Sequence, residues 1–288
     1  MAEISAAMVV KLRKMSGQGM MDCKRALQDT DGDAEKAMDL LRKKGLATLA
    51  KRADRDTSEG LIVSKISPDG KTSILATLCC ETDFVTKSDD FVATAQILAD
   101  VALACPADEG IENVLETSAD GRKFSDIMTE LVSKTGEKTQ VGDYAKYQLD
   151  GPGLISTYIH FNEKVGTMVQ IETSDEAIAA GDVLKQTASD IAMHITATKP
   201  LALNKDQIDP KTIEREKAIF AEQIKNKPAN IIDKIVEGKI NKFYAENCLL
   251  LQPFVKDDSR SVEQVLADAA KQAGGEAKIK RFVRFEVG

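Results

Sequence analysis

One repeat constrains this chain more than any other feature. The segments "GLIVSKISPDGKTSILATLCCET" (60–82) and "GLISTYIHFNEKVGTMVQIET" (153–173) both open on Gly-Leu-Ile. Both place Ile six and Lys eleven residues after the glycine, and both end on Glu-Thr, at an offset of 93 residues that falls to 91 at the Glu-Thr. Each copy is two apolar, β-branched runs around a polar turn, the pattern of a hairpin. Each is followed by an amphipathic stretch, "SDDFVATAQILADVALACP" (88–106) and "AGDVLKQTASDIAMHITATKP" (180–200), that closes at a proline, Pro106 or Pro200. A duplicated hairpin and helix predicts a core of two related α+β subdomains.

The segments outside the repeat are mostly helical. Ser5 is placed to cap a first helix with Met8, Leu12 and Met15 on one face, ended by Ser16-Gly17-Gln18-Gly19. A second helix aligns Cys23, Ala26, Leu27 and Thr30. A third, after Asp31-Gly32-Asp33, aligns Ala34, Ala37, Met38 and Leu41 and is expected to stop at Gly45. A helix capped by Ser125 and a strand in "TQVGDYAKYQL" extend the first copy. In the second, Asp209-Pro210 opens a helix carrying Ile213 and Phe220, and Asn226-Lys227-Pro228 breaks it. A return helix with Ile232, Ile235, Val236 and Phe243 then makes an antiparallel hairpin over 209–247. Alternation in "IKRFVRFEVG" predicts a last, half-buried strand. The expected division is a three-helix N-terminal module with its linker (1–55), a first core subdomain (56–150) and a second (151–288) that contains the hairpin.

Composition narrows the function. With 43% hydrophobic and 30% charged residues in 288, the chain reads as soluble and globular. No apolar run approaches the roughly 18–20 residues that span a bilayer, so no membrane association is expected. The N-terminus has no basic region before an apolar core, so no signal peptide is expected either. Five scattered cysteines without CxxC spacing predict neither disulfides nor zinc, and a cytoplasmic location. Residues 1–55 hold twelve Lys/Arg against eight Asp/Glu, so in a chain of net charge −7 the remainder carries −11. That acidic bulk argues against direct nucleic-acid binding, which needs a basic surface. There are two histidines, His160 and His194, and no GxSxG, HExxH or P-loop. No catalytic residue, metal site or cofactor is predicted.

The residue that does not fit is in "CCETDFVTKSDDF" (79–91). A turn between strand and helix favours Gly, Asn or Pro, yet Phe84 stands there beside Asp83. From the residues alone, Phe84 is either a core side chain under the next helix or an anchor for a partner. Adjacent Cys79 and Cys80 face opposite sides of a strand. A thiol enzyme built on them is disfavoured by the acidic neighbours Glu81 and Asp83.

Two motifs together resolve the choice. "LRKMSGQGMMDCKRAL" (12–27) and "CETDFVTK" (80–87) resemble the two signatures of the elongation factor Ts family, and the order of parts agrees along nearly the whole chain. The sequence departs from the usual pattern in Ser16 for Thr, in Thr77-Leu78-Cys79 before Cys80, and in Thr86. The resemblance implies a ubiquitin-associated-like N-terminal module. It also implies a guanine-nucleotide exchange factor, without covalent chemistry, that binds elongation factor Tu·GDP, displaces Mg²⁺ and promotes GDP release. Thr82, Asp83, Phe84 and Val85 would act at the partner's GTP-binding domain, with Thr82 and Val85 shaping the turn. Arg13, Met20 and Met21 would add contacts from the N-terminal module, and His160 a further one. A pure adaptor built on such a module is the rival reading, and it leaves the duplicated core unexplained.

Overall fold

The computed structural model describes residues 4–224 and 229–288. Three helices come first, α1 (Ala6–Ser16), α2 (Met20–Asp29) and α3 (Ala34–Lys51). The Ser5 hydroxyl accepts the Met8 amide at 3.3 Å, and Gly17, at φ 66°, ends α1 in the left-handed region that glycine favours. Thr30 closes α2 through its hydroxyl on the Ala26 carbonyl, 2.8 Å, and the Asp33 carboxylate accepts the Glu35 and Lys36 amides at the start of α3. Val9, Leu12, Cys23, Leu27 and Leu41 form the small core. Two expectations are corrected here. The buried face of α1 is Val9, Leu12 and Ser16, and Met15 is exposed, because the α2 contact lies one position round from the predicted stripe. Helix α3 does not stop at Gly45 but runs through it to Lys51.

The first copy of the repeat is β1 (Glu59–Ile66) and β2 (Thr72–Cys80). A single turn, α4 (Asp83–Thr86), leads to α5 (Asp89–Ala104), capped by the Ser88 hydroxyl. Then come α6 (Ile111–Glu116), the small ribbon β3 (Ser118–Ala119) and β4 (Arg122–Lys123), α7 (Phe124–Thr135) and β5 (Thr139–Gln148). Ser125 lies inside α7 instead of capping it. The fully buried Phe124 sets where that helix begins, by anchoring its first turn in the core. Gly45 also finds its reason at α7. A Cβ there would lie 2.9 Å from both the Thr129 carbonyl oxygen and Ser133 Cβ. Glycine thus lets α3 and α7 approach closely, at a cost of about 1 kcal/mol in helix propensity.

The second copy is β6 (Gly153–Ile159) and β7 (Val165–Thr173), followed by α8 (Glu176–Ala180) and α9 (Asp182–Thr198). Helices α10 (Pro210–Gln223) and α11 (Ala229–Asn247) lie side by side. Lys239 sits 5.0 Å over the Phe220 ring and donates to Gln223 at 2.7 Å. Asn226, Lys227 and Pro228, where the sequence predicts the break, are outside the described residues. The chain ends with β8 (Pro253–Phe254), β9 (Asp257–Ser261), α12 (Val262–Gln272) and β10 (Ala277–Glu286). A capping box between Ser261 and Gln264 starts α12.

Both sheets are antiparallel and three-stranded with the same plan. A hairpin takes a third strand on its second member, giving β1-β2-β5 and β6-β7-β10. The repeat glycines serve one purpose in both. A Cβ on Gly60 would lie 2.3 Å from the Leu78 carbonyl oxygen, and one on Gly153 would lie 2.4 Å from that of Ile171. One face of each sheet meets its own helices: Ile74, Leu78 and Cys80 with Phe91 of α5 and Phe124 of α7, Val169 and Ile171 with α9 and α12. The other faces meet each other through Ile62, Leu75, Cys79 and Tyr147 against Ile155, Met168 and Val287. Cys79 and Cys80 therefore belong to different cores, as strand alternation requires. The architecture is mixed helix and sheet, consistent with α+β.

Candidate functional site

The turn after β2 is held from beneath. Cys80 donates its thiol hydrogen to the Thr82 carbonyl, 3.2 Å. Thr82 gives its amide and its hydroxyl to the two carboxylate oxygens of Glu137, at 3.1 and 2.8 Å. The Glu81 side chain turns the other way, to the Lys138 amide at 2.6 Å and the guanidinium groups of Arg52 and Arg55 at 2.6 and 3.4 Å. Partial burial works to raise the Glu81 carboxyl, but the Lys138 amide and Arg52 outweigh it and hold the group below its ordinary range. Lys138 in turn donates to the carbonyls of Ala53 and Arg55, at 2.7 and 2.8 Å. The segment that follows α3 is thus fastened to the base of the turn.

Within α4 each side chain has one direction open. Val85 and Thr86 are buried, Val85 in the first core, and the Thr86 hydroxyl closes the turn on the Asp83 carbonyl at 2.8 Å. The Ser88 hydroxyl donates to the Val85 carbonyl at 2.7 Å as it caps α5. Asp83 pairs with Lys87 one turn on, at 2.7 Å, and the hydrogen bond and charge of that lysine hold its carboxyl below the usual range. What remains for Phe84 is solvent, and it is 82% exposed. The core alternative is therefore excluded for Phe84 and realised by its neighbour Val85, which packs into the first core.

A cleft of about 600 Å³ separates this turn from the β6–β7 hairpin tip. Asp83, Thr86 and Lys87 line one bank, and Asn162, Glu163 and Lys164 the other, with Glu59 and Leu61 of β1 along the floor. The tip is docked on the first sheet. The Ile62 amide of β1 donates to the Glu163 carbonyl at 2.8 Å, while the Val287 amide, just after β10, holds the Lys164 carbonyl at 2.8 Å within the second sheet. Lys164 and Glu59 meet at 2.6 Å as an ion pair without hydrogen-bond geometry. His160 is half-buried here, its Nδ1 3.4 Å from the Tyr158 hydroxyl and its ring 4.3 Å from that of Phe161. Phe161 itself is 89% exposed. Sequence reasoning missed it, although the signal was the one that singled out Phe84: a bulky aromatic in a turn.

Arg13, Met20 and Met21 are on a separate element. All three are exposed, Met20 at 42% and Met21 at 61%, around a loop fixed by the buried Ser16, whose hydroxyl accepts the Gln18 amide at 3.2 Å. They connect to the α4 turn indirectly, through α3 on α7 and through the Glu81 clamp.

All five cysteines are free and buried. Burial raises the Cys79 thiol, and pushes Cys80 up to about 12, the opposite of what a nucleophilic thiol needs. Among the described residues no three His, Cys, Asp or Glu side chains gather as a metal set, and no helix is long and apolar enough to cross a membrane.

Comparison with known proteins gives one result. The family model described as Elongation factor TS matches residues 81–288. The Elongation factor Ts of a Nitratiruptor species is 44% identical over 287 residues, covering 99% of this chain and 93% of that protein. Those of Alkalilimnicola ehrlichii and of Clostridium botulinum (strain Eklund 17B / Type B) are 42% and 41% identical, again over 99% of this chain and over 92% and 93% of theirs.

Proposed function

The chain belongs to the elongation factor Ts family of translation elongation factors, and from that premise we propose that it is the guanine-nucleotide exchange factor for elongation factor Tu. The observation that carries this reading is Phe84, a large aromatic held in water on a turn whose flanking residues are pinned. Leaving such a ring exposed forgoes about 2–3 kcal/mol of burial, and a partner pocket recovers it. Exposed aromatics on rigid supports are the usual anchors of interfaces.

In this mechanism Phe84 enters the GTP-binding domain of elongation factor Tu, and Asp83 brings an anionic carboxylate beside the nucleotide's Mg²⁺. Loss of that cation leaves the diphosphate charge unneutralised, so GDP departs and GTP can enter. Thr82 and Val85 keep the turn in shape. Arg13, Met20 and Met21 add a second contact from the N-terminal, ubiquitin-associated-like module, and the methionines suit an adaptable surface. Residues 1–55, 56–150 and 151–288 act as the three units of the molecule, working in the cytoplasm, with no covalent step and no nucleic acid or membrane as partner. The coupling is reciprocal: the factor by which this protein weakens GDP is the factor by which GDP weakens this protein.

The test is release of a fluorescent GDP from elongation factor Tu across a Mg²⁺ series, with the parent protein and with Phe84→Ala and Asp83→Ala. Strong acceleration by the parent, largely lost in both variants and imitated by chelating Mg²⁺, is the expected result. Acceleration that survives both substitutions would move the mechanism to other contacts, and none at all would favour the adaptor reading.

A further inference from the structure

Residues 52–58 join α3 to β1 and are almost wholly polar, the composition of a slack linker. They are not slack. Arg52 donates to Glu81 at 2.6 Å, the Ala53 and Arg55 carbonyls accept the Lys138 ammonium, and the Thr57 hydroxyl accepts the Gln140 side chain at 3.0 Å. The holders of the linker and of the turn lie on one short stretch at the start of β5. Glu137 holds Thr82, Lys138 holds Glu81 and the linker, and Gln140 holds Thr57. Glu81 is the node of this arrangement. It precedes Thr82 in the chain, its side chain is only 11% exposed, and its two oxygens face the guanidinium groups of Arg52 and Arg55. The N-terminal module also meets the core through α3 on α7, where Gly45 makes the close approach. There the Arg42–Asp126 ion pair is exposed, and the Ser133 hydroxyl reaches the Leu41 carbonyl only at 3.5 Å.

We infer that Arg52 and Glu81 are positioning residues that make the N-terminal module and the Asp83–Phe84 turn a single rigid body with two points of contact. The inference rests on the exchange-factor reading for the partner, elongation factor Tu, and for the contacts themselves, Phe84 on the turn and Met20 and Met21 on the module. Two contacts with one partner reinforce each other only when their connection holds them at the matching separation. A slack connection lowers the effective concentration of the second contact once the first has formed. A fixed connection also has little freedom left to lose on binding. The Arg52–Glu81 pair suits this role by its place in the chain. Arg52 directly follows the last residue of α3, and Glu81 directly precedes the turn, so the pair joins the two contact-bearing parts at their nearest ends. Its work is on affinity, since the shape of the turn itself is set by Glu137 and Thr86.

The experiment measures the Kd for elongation factor Tu by calorimetry and, separately, the release rate of fluorescent GDP at saturation. The proteins are the parent, Arg52→Glu, Arg52→Lys, the double variant Met20→Ala/Met21→Ala, and that double variant combined with Arg52→Glu. Arg52→Glu sets two carboxylates face to face and is expected to raise the Kd about tenfold through lost effective concentration. Its saturating release rate is expected to match the parent. Arg52→Lys keeps the cation and is expected to stay within about threefold of the parent Kd. The methionine substitutions are expected to cost about tenfold in the parent and less than about threefold once the clamp is open, because a slack module contributes little to lose. Arg52 follows α3 whereas Met20 and Met21 open α2, so independent effects would multiply. Equal factors in the two backgrounds, or a Kd for Arg52→Glu within about twofold of the parent, would overturn the clamp and leave the exchange function standing. Binding by the parent without faster release would overturn the exchange function, while the cycle of Kd values would still decide the clamp. Failure of the parent to bind would overturn both.

Discussion

Ser64 and Thr157 occupy the same position in the two copies of the repeat, 93 residues apart, and their hydroxyl oxygens meet at 3.5 Å. Equivalent residues touch only near an axis that exchanges the copies, so the two sheets face each other with approximate two-fold symmetry. Each sheet also closes its third strand in the same way: the Lys71 carbonyl accepts the Leu149 amide at 2.9 Å within the first, as the Lys164 carbonyl accepts the Val287 amide at 2.8 Å within the second. The duplication is therefore an interface as well as a history, and it brings the second hairpin tip against the turn that follows the first.

That interface is tight at Gly166. A Cβ there would stand 2.7 Å from Ile62 Cγ2 and 3.3 Å from Leu75 Cδ1. Gly166→Ala is expected to destabilise the protein by about 1–3 kcal/mol through overpacking. Because the clash is with a methyl of Ile62, the double variant with Ile62→Ala should lose less than the sum of the single losses. Urea denaturation of the four proteins measures the coupling, and strict additivity would place the strain elsewhere.

Glu137 is the support of the exposed turn, since it takes both hydrogen bonds of Thr82. Glu137→Ala is expected to cost about 1–3 kcal/mol, because two donors lose a charged acceptor. Release of GDP from the partner should slow with it, although residue 137 is outside the turn itself. Glu137→Gln, with one acceptor oxygen left, should fall between the two in both denaturation and exchange assays.

Phe84 and Val85 are adjacent and opposite in consequence. Phe84→Ala removes an exposed ring and is expected to change stability by less than about 0.5 kcal/mol. Val85→Ala opens space in the first core and is expected to cost about 1–3 kcal/mol. Thermal and chemical denaturation check both. A large stability loss in Phe84→Ala would mean that the ring packs on its own protein.

His194 introduces a pH dependence distant from the turn. It is fully buried, stacked on Phe254 at 5.7 Å, and its Nδ1 accepts the Val255 amide at 3.1 Å. Its Nε2 therefore carries the hydrogen, donated to the Gln252 side-chain oxygen at 3.0 Å. Burial pushes its pKa below the ordinary 6.5. Below about that pH the unfolded chain takes up a proton that the folded one refuses, so stability falls as pH falls. Denaturant titrations from neutral to mildly acidic pH should show this slope, and His194→Gln should flatten it.

Short-range chemistry made much of this protein legible before any coordinates. Alternation placed the hairpin strands and set Cys79 and Cys80 on opposite faces. Ser5 and Asp209 announced helix starts, because a cap acts on amides two or three residues away. The repeat implied a duplicated core, and the aromatic in the 79–91 turn marked Phe84. Met15 and Gly45 misled because their reading depends on a neighbouring helix: Met15 turns outward where α2 meets α1, and Gly45 is shaped by Thr129 and Ser133 of α7.

By itself, then, the sequence determined most of the elements and the duplication, and it singled out Phe84 as the residue that does not fit its turn. Only the tertiary structure decided that Glu137 holds Thr82 from 55 residues away, that Glu81 ties the turn to Arg52, and that the tip carrying Phe161 comes to the cleft beside Asp83. The physical reason is range. Periodicity and capping are written in neighbouring residues, whereas close approach and ion pairing depend on which distant segments packing brings together.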